Sequence, residues 1–251
     1  MRQRRCLQFG SPSVRGRPAG LRQIRNIPTL PSTEKHPRPQ RGETIILVHG
    51  LWMHGVVFHF LRRALMRCGF RVETFSYPSV RRGLAANTAR LAHFVAGRDA
   101  EKVHLVGHSL GGLLILNLLS QPVVPHISRA VLMGTPCRGS HCAAMLAGIP
   151  GCARIVGHSI RDWRGVTSPL AAGVEIGVIA GDRGVGTGPL LFGLPKPNDG
   201  IVAVAETQLT GATDSLTLHV AHSEMLFSKA CARQVAAFLA TGRFLHDDER
   251  P

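Results

Sequence analysis

Ser109, Asp199 and His222 stand in the chain order serine, carboxylate, histidine, each in a setting that suits acyl chemistry. Ser109 lies in Gly107-His108-Ser109-Leu110-Gly111-Gly112, directly after the apolar run Val103-His104-Leu105-Val106 and directly before Leu113–Leu119. A Gly-x-Ser-x-Gly turn between a strand and a helix is a nucleophile elbow, which projects the hydroxyl out of a sharp turn. Gly107 and Gly111 flank the serine because a side chain there collides with the crowded backbone. A serine hydroxyl is a weak nucleophile at neutral pH, so it needs a base within hydrogen-bond reach and a carboxylate to orient that base.

The downstream half offers both. Asp199 lies in Pro197-Asn198-Asp199-Gly200-Ile201-Val202, where Gly200 and the apolar run after it suit a carboxylate held in a tight turn. His222 lies in Val220-Ala221-His222-Ser223-Glu224, directly after the last expected strand, from which an imidazole reaches back over the serine. The rival bases are His108, which as an elbow neighbour points the wrong way for proton transfer, and His219, placed within the strand. The rival acids are Asp182 and Asp214. Asp199 and His222 are preferred because both fall in loops at strand ends, where open α/β sheets carry their functional residues. The attacked carbonyl oxygen needs two backbone N–H donors. Leu110, the residue after the serine, supplies one, and Leu51 in His49-Gly50-Leu51-Trp52 is chosen for the other. Trp52, Met53 and Phe58 are candidates to line an acyl pocket or to pack the core, and the sequence leaves both open.

The elements that must position these residues read as follows. Thr44–Val48, Phe70–Phe75, Val103–Gly107, Ala130–Met133, Glu175–Ala180 and Leu216–Val220 are short apolar runs with β character. Helical spacing covers Val57–Arg67, Ala85–Val95, Leu110–Ser120 and Glu224–Leu239, the last ending near Gly242. Strands alternating with helices predict an α/β fold with a mostly parallel central sheet, flanked by helices on both faces. Between about 137 and 172 the pattern loosens, which predicts a small cap or lid insertion over the site. Residues 181–197 hold five glycines and three prolines and read as loop.

Composition bounds the alternatives. The chain has 251 residues, 44% hydrophobic and 18% charged, with a net charge of +15. Residues 1–41 hold ten Arg and Lys against the single carboxylate Glu34, and so carry +9 of that charge. With six prolines and no periodicity they read as a disordered basic tail, leaving residues 42–251 as the catalytic domain. The remaining body is mildly basic and lacks zinc-finger or RNP spacing, so no nucleic-acid partner is expected. Six cysteines without CxxC spacing argue against a zinc site, and a Cys142–Cys152 bridge competes with free thiols. No apolar run is long enough to span a membrane and no h-region precedes the body, so the expectation is a cytoplasmic protein without stable membrane insertion.

These motifs together resemble the α/β-hydrolase superfamily, and within it the bacterial lipase and esterase branch. The resemblance spans about residues 44–241 and rests on Leu47–Trp52, Gly107–Gly112, Gly134-Thr135-Pro136, Asn198-Asp199-Gly200 and His222. The chain departs from the family pattern in starting at the His-Gly strand. The resemblance implies a Ser-Asp-His triad that cleaves carboxylic esters, lipids among them, through an acyl-enzyme and without a cofactor. Some secreted members hold calcium through an aspartate two residues after the histidine. Glu224 stands there in this chain without a second ligand, so no metal is expected. Acyl transfer or amide hydrolysis by the same triad, or a non-catalytic binding protein on the same fold, are the alternatives.

Overall fold

The computed structural model describes residues 42–121, 126–149, 158–160, 163, 165, 170–186 and 193–246. The chain divides into Met1–Glu34 and Lys35–Pro251, and everything below belongs to the second unit. The tail read over residues 1–41 lies outside the described residues, as does Cys152.

Six strands form one sheet: β1 Glu43–Val48, β2 Arg71–Phe75, β3 Lys102–His108, β4 Ile127–Met133, β5 Glu175–Gly181 and β6 Asp214–Leu218. Their order is β2-β1-β3-β4-β5-β6, and every neighbouring pair is parallel. The connections are α1 His59–Arg67, α2 Leu84–Ala96, α3 Leu110–Leu119, α4 His141–Ala147, α5 Val204–Thr207 and α6 Lys229–Thr241. Strand order reverses between β1 and β3, and the crevice beyond the carboxyl ends of strands at such a reversal is where open sheets bind ligands. Alternation along β1 explains why both faces are covered. Ile45 and Leu47 pack with Phe58, Leu61 and Leu65 beside α1 and with Val235 and Phe238 of α6. Ile46 and Val48 face Leu91 of α2 and Leu113 of α3 on the other side. Helix α3 is apolar apart from Asn117, whose amide donates to the Thr88 hydroxyl, and is buried along nearly its whole length, as suits a helix behind a sharp strand-to-helix turn.

Several boundaries differ from the sequence reading. The expected helix over Glu224–Leu239 is a 3-10 turn, Ser223–Leu226, followed by α6 from Lys229. Ser228 causes the break, because its hydroxyl accepts the Cys231 N–H and starts a new helix. Gly242, at φ 80°, ends α6 in the left-handed conformation, and its N–H donates to the Phe238 carbonyl. Likewise Gly55–Phe58 is a 3-10 turn leading into α1. The last strand ends at Leu218 rather than Val220, so His219 lies beyond it. Val220 is apolar because it is buried in the loop that follows, not because it continues the strand.

Within the expected cap, α4 is described, capped by the Ser140 hydroxyl on the Ala143 N–H. Residues 150–157, 161–162, 164 and 166–169 of that segment lie outside the described residues. Cys68, Cys137, Cys142 and Cys231 are free thiols. Among the described residues no helix is long and apolar enough to cross a membrane.

Candidate active site

Ser109 sits between β3 and α3 with φ 53° and ψ −120°, a backbone conformation that L side chains rarely adopt. Such strain costs about 1–3 kcal/mol and persists only where the surroundings over-determine it. The surroundings here do. The Ser109 N–H donates to the Met133 carbonyl at 2.9 Å, and its carbonyl accepts from the Gly112 N–H at 3.0 Å and the Thr135 hydroxyl at 3.2 Å. A Cβ on Gly111 would run into the Val48 carbonyl, so β1 and the elbow meet backbone to backbone. The hydroxyl itself is left on a partly exposed residue.

Asp199 and His222 are brought together. His222 Nδ1 lies 2.7 Å from Asp199 Oδ2, and a second tie runs from the His222 N–H to the Asp199 carbonyl at 2.8 Å. Asp199 has no solvent exposure, and its other oxygen accepts the Ile201 and Val202 N–H groups at 2.9 and 2.7 Å. A carboxylate fixed by two backbone donors can present only its remaining oxygen to the imidazole. That puts the proton on Nδ1 and leaves Nε2 as the acceptor, the tautomer a general base needs.

Ser109 is next to this pair through the end of β4. Met133 and Thr135, which hold the Ser109 backbone, flank Gly134, and a Cβ on Gly134 would fall 3.0 Å from His222 Nδ1 and 3.1 Å from Asp199 Oδ2. No hydrogen bond joins the Ser109 hydroxyl to His222 among the described residues. Catalytic hydrogen bonds are often long without substrate and tighten when it binds.

The loop after β1 is built more elaborately than its sequence suggested. His49 Nδ1 lies 2.9 Å from the Gly50 carbonyl, and its Nε2 accepts the Tyr77 N–H at 3.2 Å, so the ring is a neutral Nδ1–H tautomer. The Tyr77 hydroxyl donates to the His49 carbonyl at 2.7 Å, with the two rings stacked 4.4 Å apart. The Trp52 N–H donates to Ser79, and the Gly55 N–H to Ser76. Fixing Gly50 and Trp52 on either side holds the Leu51 peptide between them. A Cβ on Gly50 would meet Ser109 Cβ at 3.2 Å, which measures how close this loop runs to the serine. Leu110 opens α3, so its N–H has no acceptor within the helix. The sequence reading missed His49, Tyr77 and Ser79 as supports. The signal available was a lone tyrosine at the end of an apolar strand, where a phenol needs a partner.

The remaining expectations divide. Trp52 is 64% exposed at φ 60°, and Met53 is partly buried against the α1 and α6 layer. Phe58 is corrected: it has no exposure and packs with Ile45 and Leu47 in the core, so it fills space behind the sheet rather than lining a pocket. His219, placed beyond the strand, pairs with Asp182 at 2.8 Å on the exposed surface. Asp214 holds His246 and the Phe244 N–H. Both rival acids are thus occupied away from His222. The Glu224 carboxylate takes the Ala221 N–H and pairs with Arg183 at 2.6 Å. No group of three metal-ligating side chains occurs among the described residues.

Burial disfavours the charged form of three histidines. Burial, with help from the neighbouring His222, pushes His108 down from 6.5 to about 3. Burial also lowers His49 and His104, against the pull of Glu43 in the second case. A histidine with a depressed pKa in the fold binds more protons unfolded, so its stabilisation is complete above 6.5 and drains away as pH falls toward the folded value. Each such site adds a slope of up to about 1.4 kcal/mol per pH unit in that window. Denaturant titrations between about pH 7 and about pH 4 should show stability falling throughout. A flat profile across that range would contradict buried neutral imidazoles.

The alpha/beta hydrolase family model matches residues 45–175, which covers β1 through the elbow to the first residue of β5. Comparison with curated proteins gives no match. Among solved structures, the mature Bacillus licheniformis lipase BlEst2 is similar at TM-score 0.65 and 20% identity, over 82% of this chain and 93% of that one. A metagenomic carboxyl esterase is similar at TM-score 0.62 and 20% identity, over 85% and 70%. A pyrethroid hydrolase from Sphingobium faniae is similar at 0.57 and 14%, over 79% and 98%. With the elbow, the parallel sheet and the strand order in place, the family match settles the classification: the chain belongs to the alpha/beta hydrolase family.

Proposed function

We propose that the protein is a serine hydrolase of carboxylic esters. The observation that carries this reading is the buried Asp199–His222 pair, 2.7 Å apart, set beside a serine held in a strained elbow. Ser109 is the nucleophile. Its Oγ forms a bond to the ester carbonyl carbon while His222 Nε2 takes the hydroxyl proton. The tetrahedral oxyanion is held by the Leu51 and Leu110 N–H groups. Collapse breaks the bond to the alcohol oxygen, which leaves with the proton from Nε2. Water then attacks the acyl-enzyme with the same histidine as base, releasing the acid and restoring Ser109. Asp199 holds the imidazole tautomer throughout and stabilises the imidazolium.

The chemistry calls for no metal and no cofactor. The choice of ester as substrate is supported by the names of the similar structures, a lipase and a carboxyl esterase. Trp52 and Met53 flank the oxyanion loop and are the candidates to meet the acyl chain. The test is a series of p-nitrophenyl esters of increasing acyl length. Saturable release of nitrophenol, with free acid as the co-product, is expected for at least part of the series. Absence of turnover across all lengths, in folded protein, would overturn the reading.

A further inference from the structure

His108, the residue before the proposed nucleophile, has no part in that mechanism, yet it is fully enclosed at the site. It has no solvent exposure. Its Nε2 lies 3.0 Å from the His222 carbonyl, and its ring centroid is 4.6 Å from that of His222. On the other side, a Cβ on Gly50 would lie 3.3 Å from its Nδ1. The ring therefore sits between the loop that carries the base and the loop that carries an oxyanion donor, and it is covalently joined to the nucleophile's own peptide.

We propose that His108 is a positioning residue: its Nε2–H holds the His222 main chain in place over the elbow, so that the base is aligned before substrate arrives. This deepens the serine-hydrolase reading and rests on it. A carbonyl oxygen can only accept, so the proton must be on Nε2. Nδ1 is then a bare acceptor, buried without a hydrogen-bond partner among the described residues. An apolar side chain of similar size would fill the same space without stranding Nδ1, so packing alone does not explain an imidazole there. What the imidazole adds is one donor, aimed at the one backbone carbonyl of His222. Burial keeps the ring neutral through the working range of an esterase, so this donor does not switch with pH.

Three ties hold His222, and they act at different places. The Asp199 carboxylate fixes the rotation of its ring, the Asp199 carbonyl takes its N–H, and His108 holds its carbonyl on the elbow side. Losing the His108 tie leaves the tautomer right and frees the carbonyl side of the peptide to shift the base. A displacement of about 1 Å at a reacting group costs up to about 10²-fold in rate.

Steady-state hydrolysis of the best p-nitrophenyl ester separates this from a purely structural role. His108→Leu is expected to lower kcat by about 10–10²-fold with KM within about twofold of the parent. His108→Gln, whose amide nitrogen reaches nearly as far as Nε2, should recover most of that loss. A kcat for His108→Leu within about twofold of the parent, or equal losses for Leu and Gln, would overturn the proposal. Should His108→Leu fail to fold, His108→Gln against His108→Asn decides, since the two amides differ in reach. Asn slower than Gln supports the tie, and equal rates overturn it. If the unsubstituted protein hydrolyses no ester, the site reading fails and this inference falls with it. Activity in the parent with an indifferent His108→Leu sinks only the inference.

Discussion

Ser109→Ala is expected to lower kcat on acyl esters by about 10⁴–10⁶ and to leave the fold intact. The size follows from what is removed and what stays. Without Oγ no acyl-enzyme can form, and water must attack the ester directly under an oxyanion hole that is still present. Donors and binding alone leave about 10³–10⁴ over the uncatalysed reaction, so the residual rate is small but above background. Folding should tolerate the change, because the elbow is held by main-chain bonds from Ser109 to Met133, Gly112 and Thr135, none of which uses the hydroxyl. Stopped-flow or steady-state assay of the best ester, with a thermal melt on the same sample, checks both halves. A loss smaller than about 10²-fold would mean that another group supplies the nucleophile.

Asp199→Asn is expected to lower kcat by about 10⁴ with the geometry of the site retained. The direction of the new amide can be read from its surroundings. Asp199 Oδ1 accepts two backbone N–H groups, from Ile201 and Val202, and only an oxygen can stay there. The amide nitrogen must therefore occupy the Oδ2 position and point its hydrogens at His222 Nδ1. Nδ1 then becomes an acceptor and the proton moves to Nε2, where it blocks proton uptake from Ser109. Asp199→Ala, by contrast, leaves both backbone donors unsatisfied in a fully buried place and should cost about 1–3 kcal/mol of stability as well as rate. The comparison of kcat and melting temperature for the two variants separates tautomer control from structural support. Equal melting temperatures with a full-rate Asn variant would contradict the assigned role.

The strands and the elbow were legible because buried parallel strands are continuously apolar. Ile45–Val48 and Val103–Val106 could be recognised without knowing what lay on either side. Asp199 and His222, the proposed acid and base, could be singled out for a different reason, as polar residues at strand ends in a fixed order. Sequence position could not show which histidine turns inward. His219 and His222 are three residues apart, but one pairs with Asp182 in solvent and the other with Asp199 in the interior. Only the true end of β6 at Leu218 sorts them, and Leu216–Val220 carries an apolar pattern that runs past it. Phe58 was illegible for a similar reason. An aromatic near the loop after β1 suits a pocket or a core equally, and its side is set by the turn Gly55–Phe58 that the spacing did not reveal. The supports around His49 depend on Tyr77 and Ser79, nearly thirty residues away and joined only through the neighbouring strand. Periodicity carries no record of such contacts.

The most direct measurement is the site of covalent capture. A fluorophosphonate phosphonylates a serine only where a neighbouring base and oxyanion donors activate it. Treated protein is digested and the modified peptide sequenced by mass spectrometry. One adduct per chain, on Ser109, is expected, and Asp199→Asn should slow its formation sharply. An adduct on any other residue, or none in folded and ester-active protein, would contradict Ser109 as the nucleophile.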